Sequence, residues 1–171
     1  IVVKTLGTQH VVPDHARALS EASWARACLK LGAPADEEQT LYRPLLLGAC
    51  TSGAPEVVQW LAAQGLQSKL DAQADANKAL RWACFHGHER IVLQLSELYC
   101  LGTEDARILD NWALRHASMG GRAPVVRILT SRYGLGVNDI DEALDWTAES
   151  QSKGRALLRE ERAHLVATQV L

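Results

Sequence analysis

Cys84, His86 and His88 form a Cys-x-His-x-His string, three side chains that are each good zinc ligands. Alternate residues on a helix point to different sides, and no fourth ligand lies close by in the sequence. The spacing therefore predicts no metal site, and no cofactor is implied. Four cysteines, Cys28, Cys50, Cys84 and Cys100, lie too far apart for a Cys-x-x-Cys knuckle and fall inside helical patterns, which fits a reducing compartment. A Cys/His nucleophile pair would need a pocket that closes around substrate. No Ser/His/Asp set, phosphate-cradling glycine loop or paired carboxylate site stands out, and Glu160-Glu161 reads as a solvated helix face. The chain is not expected to be an enzyme. Catalysis or metal binding by Cys84, His86 and His88 is the least favoured alternative.

The elements that position these residues repeat. Leu46-Leu47-Gly48-Ala49-Cys50-Thr51-Ser52-Gly53 is followed 34 residues on by Leu80-Arg81-Trp82-Ala83-Cys84-Phe85-His86-Gly87, and again by Leu114-Arg115-His116-Ala117-Ser118-Met119-Gly120-Gly121. Behind each glycine a second apolar block returns in phase: Val57, Val58 and Leu61, then Ile91, Val92 and Leu95, then Val125, Val126 and Leu129. Leu80, Ala83 and Cys84 share one face of a short helix, and the small residues let the neighbouring unit approach closely. Gly53, Gly87 and Gly121 suit a tight turn between antiparallel helices, where positive φ is needed. Pro55 and Pro124 fall in the first turn of the second helix, where a missing N–H costs little. Each unit is therefore a helix pair. Cys50 and Cys84 recur at one repeat position and are read as small packing residues.

Ala79-Leu80-Arg81-Trp82-Ala83-Cys84-Phe85-His86-Gly87-His88-Glu89-Arg90-Ile91-Val92 resembles the ankyrin pattern Ala-Leu-His-x-Ala-Ala-x-x-Gly-His-x-x-x-Val, and Ala113 to Gly121 carries it more weakly. Val57 to Gly65 is similar to the second helix of divergent, tryptophan-containing ankyrin repeats of protist and giant-virus proteins. Tetratricopeptide repeats share the period, but the Gly-His turn and the Val-Val-x-x-Leu block favour ankyrin. The Thr-Pro-Leu-His opening is absent, and the segments Gln67 to Asn77 and Gly102 to Asp110 are irregular, which leaves the β-hairpin fingers open. The resemblance implies an all-α, ankyrin-like solenoid of stacked helix-turn-helix repeats, about three full repeats plus degenerate caps. It assigns His88 to a hydrogen bond between adjacent turns. It also implies that Arg81, Trp82, Phe85, His86, Arg115, His116, Met119 and Trp146, with Glu149, face an open concave groove: an apolar centre with a basic edge that binds a partner. The competing reading has Trp82 and Trp146 filling space between repeats. Trp24 and Trp60, on second helices, are read as packing residues.

The expected organisation is an N-terminal extension (1–11), a repeat stack over 12–158 with units near 12–40, 41–74, 75–108, 109–138 and 139–158, and a C-terminal helix or tail (159–171). Trp24 to Ala33 reads as the exit of a degenerate first unit, and Val137 to Ala148 with Ala156 to Leu158 as a degenerate last one, closed by the charged run Arg159 to Arg162. The 171 residues carry 18 basic and 20 acidic side chains, mixed along the chain for a net charge of −2, so no polyanion partner is implied. Apolar runs such as Leu45 to Leu47 are far too short to span a bilayer. The expected role is a non-catalytic protein-protein interaction module, an adaptor or scaffold. The alternative is a small accessory subunit built permanently into a large multi-subunit assembly, an organellar one included, because Ile1 to Val12 and Ala163 to Leu171 are apolar enough to be strapped to neighbouring subunits. The start at Ile1 fits a processed chain, cytoplasmic or organellar after transit-peptide removal.

Overall fold

The computed structural model describes residues 2–5, 8–11, 39–63, 72–148 and 151–169. From Gln39 on, every described element is a helix: α1 (Gln39–Ser52), α2 (Pro55–Ala63), α3 (Ala74–His86), α4 (Glu89–Tyr99), α5 (Thr103–Met119), α6 (Ala123–Ser131), α7 (Val137–Trp146) and α8 (Ser152–Gln169). The N-terminal extension carries a small antiparallel ribbon of β1 (Val2–Thr5) and β2 (Thr8–Val11), with Val2 opposite Val11 and Thr5 opposite Thr8. Its β-branched residues favour that conformation. No helix among the described residues is long and apolar enough to cross a membrane. Trp24 to Ala33 lies outside the described residues.

The helices form two rows. α1, α3, α5 and α7 pack in succession along one row, while α2, α4 and α6 pack along the other, and each pair α1/α2, α3/α4 and α5/α6 is joined across the rows. The core between them is built from the in-phase residues: Leu80, Ala83, Cys84, Leu114 and Ala117 from the first helices, and Val58, Leu61, Val92, Leu95, Val125 and Leu129 from the second, all fully buried. Because α3 and α5 each pack on both neighbours in their row, the central pairs bury both flanks.

The turns repeat as closely as the helices. Gly53, Gly87 and Gly121 have φ of +75°, +81° and +67°. In each case the next N–H, from Ala54, His88 or Arg122, donates to the carbonyl of the alanine five residues back, Ala49, Ala83 or Ala117. This closure satisfies helix-end carbonyls that would otherwise be orphaned. The His88 ring lies over Gly53, and its Nε2 donates to the Thr51 carbonyl at 3.1 Å, tying one turn to the next. A methyl group on Gly53 would come within 2.6 Å of that ring, whereas one on Gly121 meets nothing within 4 Å. Gly53→Ala should therefore destabilise the stack by about 2–3 kcal/mol and Gly121→Ala by about 1, the latter reflecting positive φ alone. Urea melts of the two variants test this order.

Between α4 and α5 and between α6 and α7, where the segments are fully described, the chain forms no hairpin finger. Tyr99 and Tyr133 are buried at equivalent positions, and Leu101 and Leu135 donate their N–H groups back to Leu95 and Leu129. The Tyr133 hydroxyl reaches the Val92 carbonyl at 2.8 Å. α3 and α5 are each interrupted by three consecutive residues in left-handed conformation: Asp75-Ala76-Asn77 (φ +53° to +56°) and, 34 positions on, Leu109-Asp110-Asn111 (φ +55° to +56°). For L-residues this region costs roughly 1–2 kcal/mol each, least for Asn and Asp, so something must hold it. Asn77 donates from the first turn to Asp105 of the next unit, and Asn111 from the second to Glu142. Gln73 bonds the same Asp105, and its counterpart Arg107 bonds Asp139. Asp105 and Asp139 are buried, and each also accepts the N–H of the glycine opening its own helix, Gly102 or Gly136. One carboxylate thus caps a helix and clamps it to the previous unit.

The C-terminal unit departs from the others. α7 has no left-handed turn and ends at Trp146, and α8 runs unbroken across the 158/159 boundary, packing on α5 and α7 as well as α6. Glu161 does not lie on a solvated face: it is buried and accepts from the Thr130 hydroxyl at 2.7 Å, the interaction that makes its burial tolerable. Arg162 is held by Asp141 at 2.6 Å.

Candidate functional site

The row α1, α3, α5, α7 carries a continuous aromatic stripe. On α3, Trp82 stacks on His86, one helical turn away, with centroids 5.6 Å apart, and Phe85 meets Trp82 edge to face at 5.6 Å. On α5, Trp112 stacks on His116 at 3.7 Å, again one turn apart, and the His116 Nδ1 donates to the Trp112 carbonyl at 3.0 Å. Across the helices Trp112 approaches Trp82 at 6.5 Å and Phe85 at 6.3 Å, and Phe85 approaches His116 at 6.2 Å. The His86 ring also lies parallel to that of His88, 5.7 Å away. These are preferred aromatic geometries, and they make six rings one surface.

Two arginines border it. The Arg81 guanidinium lies over the Trp112 ring and that of Arg115 over the Trp146 ring, each 5.1 Å from the centroid. Arg81 donates through Nε to the Ala76 carbonyl and through Nη2 to the Asp75 carbonyl, both at 2.9 Å, and Arg115 Nη2 donates to the Leu109 carbonyl at 3.0 Å. The arginines therefore brace the left-handed turns while stacking on tryptophan. Neither forms an ion pair with a carboxylate among the described residues.

The stripe is open. Phe85 is 41% exposed, Met119 39% and Trp146 59%, while Trp82, His86, Trp112 and His116 are half-buried. Partial burial lowers the pKa of His86, with the charges of His88 and Arg122 adding to the effect. Burial also lowers that of His116; its bond to Trp112 opposes the shift, and Arg115 and Arg81 reinforce it. Both shifts favour the neutral imidazole over the charged one. Burial likewise lowers the Arg81 pKa, against the pull of Asp75.

All eight residues expected to bind a partner lie on this row, with Trp82, Phe85, His86 and His116 in direct ring contact and Arg81 and Arg115 alongside. Met119 follows Phe85 by one repeat, and Trp146 closes the row as the last residue of α7. Glu149 lies outside the described residues. Trp112, at the centre of the stripe, escaped the sequence reading; its signal was the 34-residue spacing to Trp146 and the four-residue spacing to His116. Cys84 is separated from His86 and His88, since its thiol is sealed in the core and burial, with Cys50 nearby, pushes its pKa far up. Among the described residues no three His, Cys, Asp or Glu side chains converge as metal ligands would. Trp60 is partly buried against the core.

The geometry itself defines a two-row helical stack with an exposed aromatic and cationic stripe on its first-helix row. No protein-family model, curated protein or solved structure matches the chain.

Proposed function

We propose that this chain is an ankyrin-type repeat stack that serves as a non-catalytic protein-interaction module, engaging its partner through the first-helix row. One observation carries this reading: six aromatic rings, from Trp82 to His116, form a half-exposed surface across two repeats, bordered by Arg81 and Arg115. Tryptophan and arginine are enriched among interface hot spots, and a solvent-facing aromatic cluster of this extent gains free energy when covered. The 34-residue period, the glycine turns and the two rows of helices support the ankyrin-type assignment. The same surface argues against a purely space-filling role, because Phe85 and Met119 lie well outside the core.

Trp82→Ala combined with Phe85→Ala should weaken partner binding by 100-fold or more, about 3 kcal/mol, and leave helicity unchanged. Isothermal titration with the partner, alongside circular dichroism, measures both. Unchanged affinity with intact helices would remove this surface from the interface.

A further inference from the structure

Given that reading, we infer that the partner segment is a peptide in polyproline II conformation bearing two carboxylate side chains three residues apart, with an apolar or aromatic side chain between them. The guanidinium groups of Arg81 and Arg115 are each backed by a tryptophan ring, and both are spent on backbone carbonyls rather than carboxylates. The Nη1 group of each has no partner among the described residues, and Arg115 Nε is buried without one. A guanidinium stacked on an aromatic face still offers its in-plane N–H edge, the arrangement that pairs with a carboxylate. Arg81 and Arg115 occupy equivalent positions on neighbouring helices, whose axes lie about 8–10 Å apart in such packings. A polyproline II chain has three residues per turn and advances about 3.1 Å per residue, so carboxylates at i and i+3 lie on one face and, about 9 Å apart, span that gap. The residues between them would meet Trp112 and Phe85.

The alternative ligand for rings and arginines is a single-stranded nucleic acid, whose bases stack on aromatics. Its phosphate backbone suits this surface poorly. Asp75 and Asp110 stand exposed on the two left-handed turns that the arginines brace, and the whole chain is net acidic at −2. A peptide with two carboxylates can place them on the arginines and avoid these aspartates; a repeating phosphate chain cannot.

The test is to pan a random twelve-residue peptide display library on the full chain, then measure binding of the enriched peptides as synthetic fluorescent probes. Enriched sequences should share Asp/Glu-x-x-Asp/Glu with an aromatic or aliphatic residue inside. Met119→Glu, which places a carboxylate one helical turn from Arg115, should weaken them about tenfold, whereas Met119→Lys should stay within about threefold. Both substitutions fall at an exposed position and spare the braces of the left-handed turns, and circular dichroism of each variant checks the fold. Peptides that depend on Trp82 and Phe85 but lack the acidic pair would overturn this inference and leave the interaction-module reading standing. Binders indifferent to Trp82, Phe85 and Met119, or no binders at all, would overturn both. Tighter binding of a twelve-nucleotide oligothymidine than of the enriched peptides, sensitive to the same substitutions, would replace the peptide with a nucleic acid.

Discussion

Leu114→Ala lowers the stability of the stack by about 3–4 kcal/mol, the range for a fully enclosed leucine whose cavity cannot collapse. Leu114 is completely buried on α5, the helix that packs between α3 and α7 and also touches α6 and α8. Rigid neighbours on every side cannot close around the lost atoms, so cavity cost adds to lost transfer energy. The comparison is Leu144→Ala on α7, where the side chain is only partly buried and the loss should stay below about 1.5 kcal/mol. Chemical denaturation of the two variants checks the contrast. Equal losses would mean that α5 is not the centre of a close-packed array.

Asp139→Ala produces the other large effect, about 2–3 kcal/mol. This carboxylate accepts Arg107 Nε at 2.7 Å and Nη2 at 3.1 Å, together with the Gly136 N–H at 2.8 Å. Its removal uncaps α7 and unties it from the preceding unit in one step. The effect carries a pH signature. Burial pushes the Asp139 pKa up, but the hydrogen bonds from Arg107 and Gly136, the Arg107 charge and the Asn111 amide outweigh it, and the net value is lowered. A depressed folded-state pKa stabilises the protein above the unfolded value of about 3.9 and loses that contribution as pH falls through the folded value. Wild-type stability should therefore drop as pH falls below about 4, and Asp139→Asn should flatten the drop. Part of the slope will remain, because Arg162 holds the Asp141 pKa down in the same window. An Asn variant with the full wild-type acid slope would show that the clamp does not form.

Much of this architecture was legible because it depends on period and residue size. The leucine, alanine and glycine of each first helix and the valine block of each second one specify two buried faces and a turn, and Gly53, Gly87 and Gly121 all adopt the positive φ their position demands. The segments between pairs were opaque, since the left-handed turns contain no glycine. Asp75-Ala76-Asn77 and Leu109-Asp110-Asn111 are stable only through Arg81, Arg115 and the clamps on the next unit, all of them tertiary contacts. The same reason hid half the role of the arginines: the sequence presents them as a basic edge, and the fold also uses them as braces. Trp112 was missed because it precedes the leucine-alanine pattern and the helical face counted from it. Glu161 sits in a charged run that reads as solvated, and only Thr130, 31 residues away, explains its burial.

The most direct test of the interaction surface is site-specific photo-cross-linking in the native cell, with a photoreactive side chain in place of Met119 on the stripe or of Glu160 on the exposed face of α8. The account predicts a discrete cross-linked partner from position 119, abolished by Trp82→Ala with Phe85→Ala, and none from position 160. The same adduct from position 160, with none from 119, would contradict it.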